Sequence, residues 1–168
     1  MKIDISLAAQ TLALLDTEGR ELRRYAVSTS RHGIGEVNGS FCTPRGRHIV
    51  RARIGAGMPE NTVFVARRPS GELWSRELHE KYPGRDWILT RILWLSGCEP
   101  GRNRLGDVDT MRRYIYIHGS HELAKMGKPG SIGCVRMRSP DIIELFELVA
   151  PYTEVEIREE GLQEEKSG

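Results

Sequence analysis

No stretch of this chain stays apolar for long. The run from Ile5 to Ala9 is broken by Gln10, and no later segment approaches the roughly 20 residues that a membrane-spanning helix needs. The N-terminus also offers no secretory leader, because Met1-Lys2-Ile3-Asp4-Ile5-Ser6-Leu7 carries an acid where a signal peptide needs its apolar core. Cysteine is scarce: Cys42, Cys98 and Cys134 are odd in number and far apart, which fits neither a disulfide framework nor a paired-cysteine zinc site. Free thiols are the simpler expectation, and they favour a reducing compartment. A cytoplasmic location follows, with a periplasmic one only if the sequence is a piece of a longer chain. Charge of one sign is also missing, since a formal net charge of +2 excludes a strong electrostatic case for nucleic acid, and no membrane partner is expected. Internal repeats and low-complexity linkers are absent as well.

What remains is enough for one ordinary domain. With 168 residues, 39% of them hydrophobic, the chain can bury a core without staples. Residues 1–158 read as that domain. Residues 159–168 hold four Glu and one Lys without a sustained apolar period, and are expected to form an acidic, flexible tail. The remaining body is mildly basic, which suits a small anionic ligand.

Short alternating runs bounded by Gly, Pro, Asn and Asp dominate the first hundred residues and predict a mainly β fold. Strands are expected at Ile3–Leu7, Thr11–Leu15, Leu22–Ser28, His48–Arg53, Thr62–Arg67, Gly71–Ser75 and Trp87–Leu95, with a last one at Glu154–Ile157. One good helix is expected from Ser139-Pro140-Asp141, with a serine N-cap, a proline in the first turn and an acid behind it. Ile142, Leu145, Phe146 and Val149 share its apolar face, and Pro151 ends it. A short helical turn is expected at Glu122–Lys125.

Chemistry concentrates late in the chain. His118-Gly119 is followed by eleven residues and then by Ser131-Ile132-Gly133-Cys134-Val135-Arg136-Met137. A cysteine is a nucleophile as its thiolate, and an imidazole nearby can take its proton. Gly133 permits a sharp turn that brings backbone N–H groups toward a carbonyl oxygen as it becomes negative. His118 closes the apolar alternation Tyr114-Ile115-Tyr116-Ile117, where a strand is expected to run into a glycine loop. Arg136, two residues past Cys134 on an extended segment, points to the same side; it either receives a carboxylate, braces the site or pairs with a surface acid. Ser131 either turns its own loop or touches a ligand. His121 raises a zinc reading with His118 and Cys134, but no further Cys or His recurs at ligand spacing. His32, His48 and His79 read as isolated surface histidines, Arg67-Arg68 and Arg112-Arg113 as solvated charge, and Cys42 and Cys98 as structural.

These residues resemble the signature of the L,D-transpeptidase catalytic domain (YkuD-like) family: His-Gly, a spacer, then Ser/Thr-His-Gly-Cys and an Arg-bearing strand. Ile132 departs from it, standing where most members carry a second histidine. Further likeness lies in Gln10-Thr11-Leu12, Ser28-Thr29-Ser30, Thr43-Pro44-Arg45-Gly46, Thr90-Arg91-Ile92-Leu93 and Arg113-Tyr114-Ile115-Tyr116-Ile117-His118, so the resemblance runs from about residue 3 to 158.

The resemblance implies a mainly β barrel or sandwich with one C-terminal amphipathic helix. It implies Cys134 as nucleophile, His118 as general base with its second nitrogen held by the carbonyl of Gly119, the Gly133 and Cys134 amides as oxyanion donors, and Ser131 and Arg136 in support. It implies no metal or other cofactor. The substrate class it implies is the peptidoglycan stem tetrapeptide, cleaved between L-centred diaminopimelate and D-alanine. Without an exported acceptor, hydrolysis by an L,D-carboxypeptidase in muropeptide recycling is the expectation. Transpeptidation, D-amino-acid exchange and a non-catalytic stem-binding module are the alternatives, and a monomer is expected.

Overall fold

The computed structural model describes residues 1–160. Ten strands and two α-helices lie among them: β1 (Lys2–Ser6), β2 (Thr11–Leu15), β3 (Glu21–Ser28), β4 (Gly46–Ile54), β5 (Thr62–Val65), β6 (Arg68–Leu73), α1 (Arg76–Lys81), β7 (Leu89–Gly97), β8 (Tyr116–Ser120), β9 (Val135–Arg138), α2 (Ser139–Leu148) and β10 (Glu154–Arg158). The sheet runs β4-β10-β1-β2-β3-β9-β8-β7, and pairing of β7 with β4 closes it into a barrel. Closure leaves the barrel strands without a free edge. The hairpin β5–β6 hangs from β7.

The barrel forms because its strands alternate. Ile3, Ile5, Leu12, Leu14, Leu93, Leu95, Ile117, Val135, Met137, Val155 and Ile157 all enter one core. The apolar stripe of α2, Ile142, Leu145, Phe146 and Val149, completes that core. Asp4 breaks the apolar run of β1 but is buried against Arg158, whose Nε and Nη2 donate to its two oxygens at 2.9 and 3.0 Å. That bidentate pair fastens the parallel ladder between β1 and β10.

Four local expectations need correction. Glu122–Lys125 forms a turn, while the short helix lies at α1, capped by Ser75 Oγ accepting from Leu78 N at 3.1 Å. The strands expected at Thr62–Arg67 and Gly71–Ser75 are both present but with other bounds: β5 stops at Val65 and β6 already begins at Arg68, because Ala66 (φ 47°) and Arg67 (φ 64°) make the tight turn that pairs them as a hairpin. Ser139 does not cap α2. It is the first helical residue, Arg138 holds the cap position without a side-chain bond, and Ser139 Oγ donates instead to Ser120 O at 3.0 Å. His118 does not end its strand but sits in the middle of β8. At the start of the acidic tail, the Glu159 carbonyl accepts from Ala8 N at 2.8 Å and its carboxylate pairs with Arg45. Residues 161–168 of that tail lie outside the described residues.

Candidate active site

β8 and β9 run parallel in one register, Ile117 beside Val135, His118 beside Arg136, Gly119 beside Met137 and Ser120 beside Arg138. Parallel neighbours require a long connection, and residues 121–134 supply it. Because side chains alternate, Ile117, Val135 and Met137 go inward to the core. Tyr116, His118 and Ser120 take the other face, as do Cys134, Arg136 and Arg138. Two strands therefore bring the histidine and the cysteine to one surface.

His118 is buried, and its Nδ1 donates to Gly119 O at 2.6 Å, which leaves the lone pair on Nε2. Gly119 must be glycine for this geometry. A Cβ there would lie 2.7 Å from Leu89 O and 2.9 Å from both Ser139 Oγ and Thr90 Cβ. Thr90 itself holds a positive φ of 74° at an irregularity in the β7–β8 ladder, and its hydroxyl shares a 2.6 Å hydrogen bond with Ser139. The Ser139 hydroxyl thus holds Ser120, beside the histidine, rather than the helix end.

The loop before β9 is braced from three sides. Ser131 Oγ donates to Cys134 O at 2.6 Å and accepts from Gly133 N at 3.2 Å. Thr43 Oγ1 donates to Gly133 O at 2.9 Å. Arg113 clamps the facing loop by donating to Gly35 O, Glu36 O and Cys42 O. Gly133 holds φ 132°, a region that side chains avoid, and a Cβ would meet Ile115 Cδ1 at 3.1 Å. In this state the Gly133 N–H is therefore spent on Ser131, not open to an oxyanion.

Cys134 is half-buried. Its Sγ accepts from Tyr116 N at 3.3 Å and donates to Tyr114 O at 3.4 Å, and among the described residues it has no hydrogen bond to His118. Burial pushes the thiol up to about 12, with the Asp86 carboxylate adding to the rise, against the Tyr116 N–H, Arg136 and Arg113, which pull it down. Burial likewise lowers His118, opposed by Asp86 and by Gly119 O. Both shifts favour a neutral thiol beside a neutral imidazole. Proton transfer to His118 then belongs to the step in which sulfur attacks, as general-base catalysis requires.

Arg136 is not open. Nη2 donates to Asp86 Oδ1 at 3.0 Å and Nη1 to Gly130 O at 3.2 Å, so the guanidinium braces the cysteine loop against the turn that carries Asp86. Beside this pair lies a cavity of ≈ 410 Å³ lined by Arg31, Asp86, Trp87, Ser120, Ile132 and Arg136, among others. Ile132 opens onto it at the position where the signature usually has histidine. A second cavity of ≈ 510 Å³ adjoins across Ser120, His121 and Ala124.

Other sequence readings fare unevenly. His48 is no surface histidine: it is fully buried between Gly46 O and Thr110 Oγ1, each 3.0 Å from a ring nitrogen. His79 is not isolated, lying 4.8 Å from the His121 ring and 5.7 Å from that of Trp74. His121 stacks on Trp74 at 4.9 Å. Arg67 and Arg113 are both half-buried rather than solvated. Arg67 lies over the rings of Trp94 and Tyr114 and donates to Tyr116 Oη at 3.1 Å. The three cysteines are all free. Sequence reasoning missed Asp86, Arg31 and the clamping role of Arg113; the partners of Asp86 and Arg113 are remote in the chain and leave no local signal.

Comparisons with known proteins give a family by sequence and a shared fold by structure. The L,D-transpeptidase catalytic domain family matches residues 1–157. Solved structures similar to the chain include an Enterococcus faecium L,D-transpeptidase mutant, with 14% identity and a TM-score of 0.55 over 93% of this chain and 48% of that one. An L,D-transpeptidase from Mycobacterium smegmatis shows 13% identity and a TM-score of 0.53 over 92% of this chain and 57% of that one. One from Xylanimonas cellulosilytica shows 18% identity and a TM-score of 0.51 over 93% and 59%. The chain thus spans about half to three fifths of the length of these neighbours. No curated protein matches it.

Proposed function

The chain belongs to the L,D-transpeptidase catalytic domain family, and on that premise we propose that it is a cysteine-dependent acyl-transfer enzyme that hydrolyses peptidoglycan stem tetrapeptides. The bond cleaved joins the L-centre of diaminopimelate to the terminal D-alanine. The observation that carries this reading is the placement of Cys134 and His118 on one face of two paired strands, with Nδ1 of His118 tied to Gly119 O.

In the proposed reaction the Cys134 side chain turns from Tyr114 O and Tyr116 N toward Nε2 of His118. The thiol proton passes to Nε2 as sulfur adds to the carbonyl carbon. Backbone N–H groups of the Gly133–Cys134 turn stabilise the oxyanion once Gly133 leaves Ser131 Oγ. The tetrahedral species collapses, the D-alanine amine leaves with the proton from His118, and a thioester remains. Water, deprotonated by the same Nε2, then attacks the thioester, releasing tripeptide and restoring the thiol.

Water is the proposed acceptor because Cys134 packs with Tyr116 and Trp94, whose rings lie under or beside the Arg67 guanidinium, and such crowding favours a small nucleophile. The free thiols of Cys42, Cys98 and Cys134 support a reducing compartment, the cytoplasm, where released stems are trimmed for reuse. A transpeptidase is the second reading, favoured by the adjoining cavity across Ser120 and His121, which has room for an amine-bearing stem.

Mass spectrometry of a diaminopimelate tetrapeptide incubated with the protein, with and without a D-amino acid or second stem, tests both. Loss of D-alanine to water that disappears in Cys134→Ala is expected. Exchanged or dimeric product as the main species would select the transpeptidase instead, and no turnover at all would leave a stem-binding module.

A further inference from the structure

The cavity of ≈ 410 Å³ beside Asp86 is charged, and most of its charge is already committed. Arg136 spends its guanidinium on Asp86 Oδ1 and Gly130 O. Arg85 donates to both oxygens of Glu72, at 3.4 and 2.9 Å, and its guanidinium stacks on Trp87 with 4.5 Å to the ring centre. His121 is held neutral, its value lowered to about 4 by burial and by the neighbouring His79. Two ionic groups remain. Arg31 lines the cavity with an exposed guanidinium that has no side-chain partner among the described residues, while its backbone N–H donates to Ser131 O at 2.9 Å and so anchors it to the cysteine loop. Asp86 keeps its second oxygen, Oδ2, without a hydrogen bond among the described residues, and its side chain is 37% exposed.

One uncommitted cation and one uncommitted anionic oxygen lining one cavity are the complement of a zwitterion, not of a simple anion. The apolar part of such a ligand finds Trp87, Ala124 and Ile132 on the same lining. Position also matters: Gly130 and Ile132 of the cysteine loop line the cavity together with Arg136, which lies two residues past Cys134 and beside His118 in the β8–β9 register, so the cavity opens next to the cysteine turn. A side chain on the residue whose carbonyl is attacked would enter it.

We propose that this cavity is the specificity site for the third residue of the stem, holding the free amino-acid head at the end of the diaminopimelate side chain. Arg31 takes its carboxylate and Asp86 Oδ2 its ammonium. The inference rests on the proposed function, from which the stem substrate is taken. It makes Arg31 a specificity residue and predicts discrimination against lysine stems, which carry the ammonium but lack the carboxylate, and against stems whose side-chain carboxylate is amidated.

The test is equilibrium binding by calorimetry to Cys134→Ala, which binds without turning over. Its ligands are tetrapeptide stems containing diaminopimelate, amidated diaminopimelate or lysine, and free diaminopimelate. The diaminopimelate stem should bind about tenfold or more tightly than the other two stems, as expected for a charge-assisted pair. Adding Arg31→Gln should bring that ratio close to one, and Arg31→Lys should restore part of it. Equal binding of the three stems, a preference that Arg31→Gln leaves unchanged, equal loss of all stems in Arg31→Gln, or free diaminopimelate binding as tightly as the stem would each overturn the proposal. Turnover by the unsubstituted protein is measured in parallel. Turnover without stem preference sinks the specificity site and spares the enzyme, whereas selective binding without turnover sinks the enzyme and spares the site.

Discussion

At the scale of single residues, the resting Cys134 is a protonated thiol. Burial holds it near 12, His118 is lowered by its own burial, and the sulfur hydrogen-bonds backbone at Tyr114 and Tyr116 rather than imidazole. Alkylation of Cys134 by iodoacetamide should therefore be slow at neutral pH and accelerate about tenfold per pH unit from pH 7 to 9, since only the thiolate reacts. His118→Ala should leave that slope unchanged. A plateau near neutrality that vanishes in His118→Ala would reveal a preformed ion pair and sink this account. The types and spacing of His118, Gly119, Ser131, Gly133, Cys134 and Arg136 were all readable in the sequence, because each belongs to a local motif. Asp86 was not. Its partner Arg136 lies 50 positions away, and nothing in Pro83-Gly84-Arg85-Asp86 distinguishes that acid from any other turn residue.

At the scale of elements, Ser139 shows how a local rule can point to the right place for the wrong reason. A serine before Pro-Asp reads as an N-cap, and α2 does begin there. Yet the hydroxyl faces the barrel, donating to Ser120 O and sharing a bond with Thr90, because β8 and β7 offer buried partners that the helix terminus does not. The two roles predict opposite signs. Aspartate is as good a cap as serine, so Ser139→Asp would be neutral or stabilising at a cap. Here it places a carboxylate against the Ser120 carbonyl, and urea unfolding should show a loss of roughly 2 kcal/mol or more. The turn between β5 and β6, though not the two strands, was illegible for a related reason. Ala66-Arg67 is not a usual two-residue turn sequence, and its positive φ values are sustained by Arg67 reaching back over Trp94 and Tyr114 to Tyr116 Oη. Periodicity found the barrel strands and α2, since one face of each is buried. It could not find contacts that hold a turn from outside.

At the scale of the whole molecule, the barrel is closed by β4 between β10 and β7, and His48 lies inside that closure. Its Nδ1 donates to Gly46 O, and in the neutral ring its Nε2 accepts from Thr110 Oγ1. Burial lowers its pKa from 6.5 to about 4. The folded state thus keeps His48 neutral at pH values where the unfolded chain has already protonated it. Stability contributed by the neutral ring is complete above about pH 6.5 and is lost as pH falls toward 4, by an amount on the order of 2–3 kcal/mol. Urea midpoints measured at pH 7.5 and 4.5 should show a smaller acid loss in His48→Gln than in the parent. An equal loss in the two proteins would mean that His48 does not report on barrel closure.

The parallel register of β8 and β9 separates two design variables. Cys134 abuts the first residue of β9, so its distance from His118 is set by the ladder between β8 and β9, not by the number of residues in the loop from 121 to 133. That connection nevertheless contributes His121, Ala124, Gly130 and Ile132 to the cavity wall. Lengthening, shortening or grafting residues 121–129 would therefore re-cut that wall while leaving His118 and Cys134 in place. The eleven-residue spacer of the signature thus shapes that cavity without setting the separation of the pair.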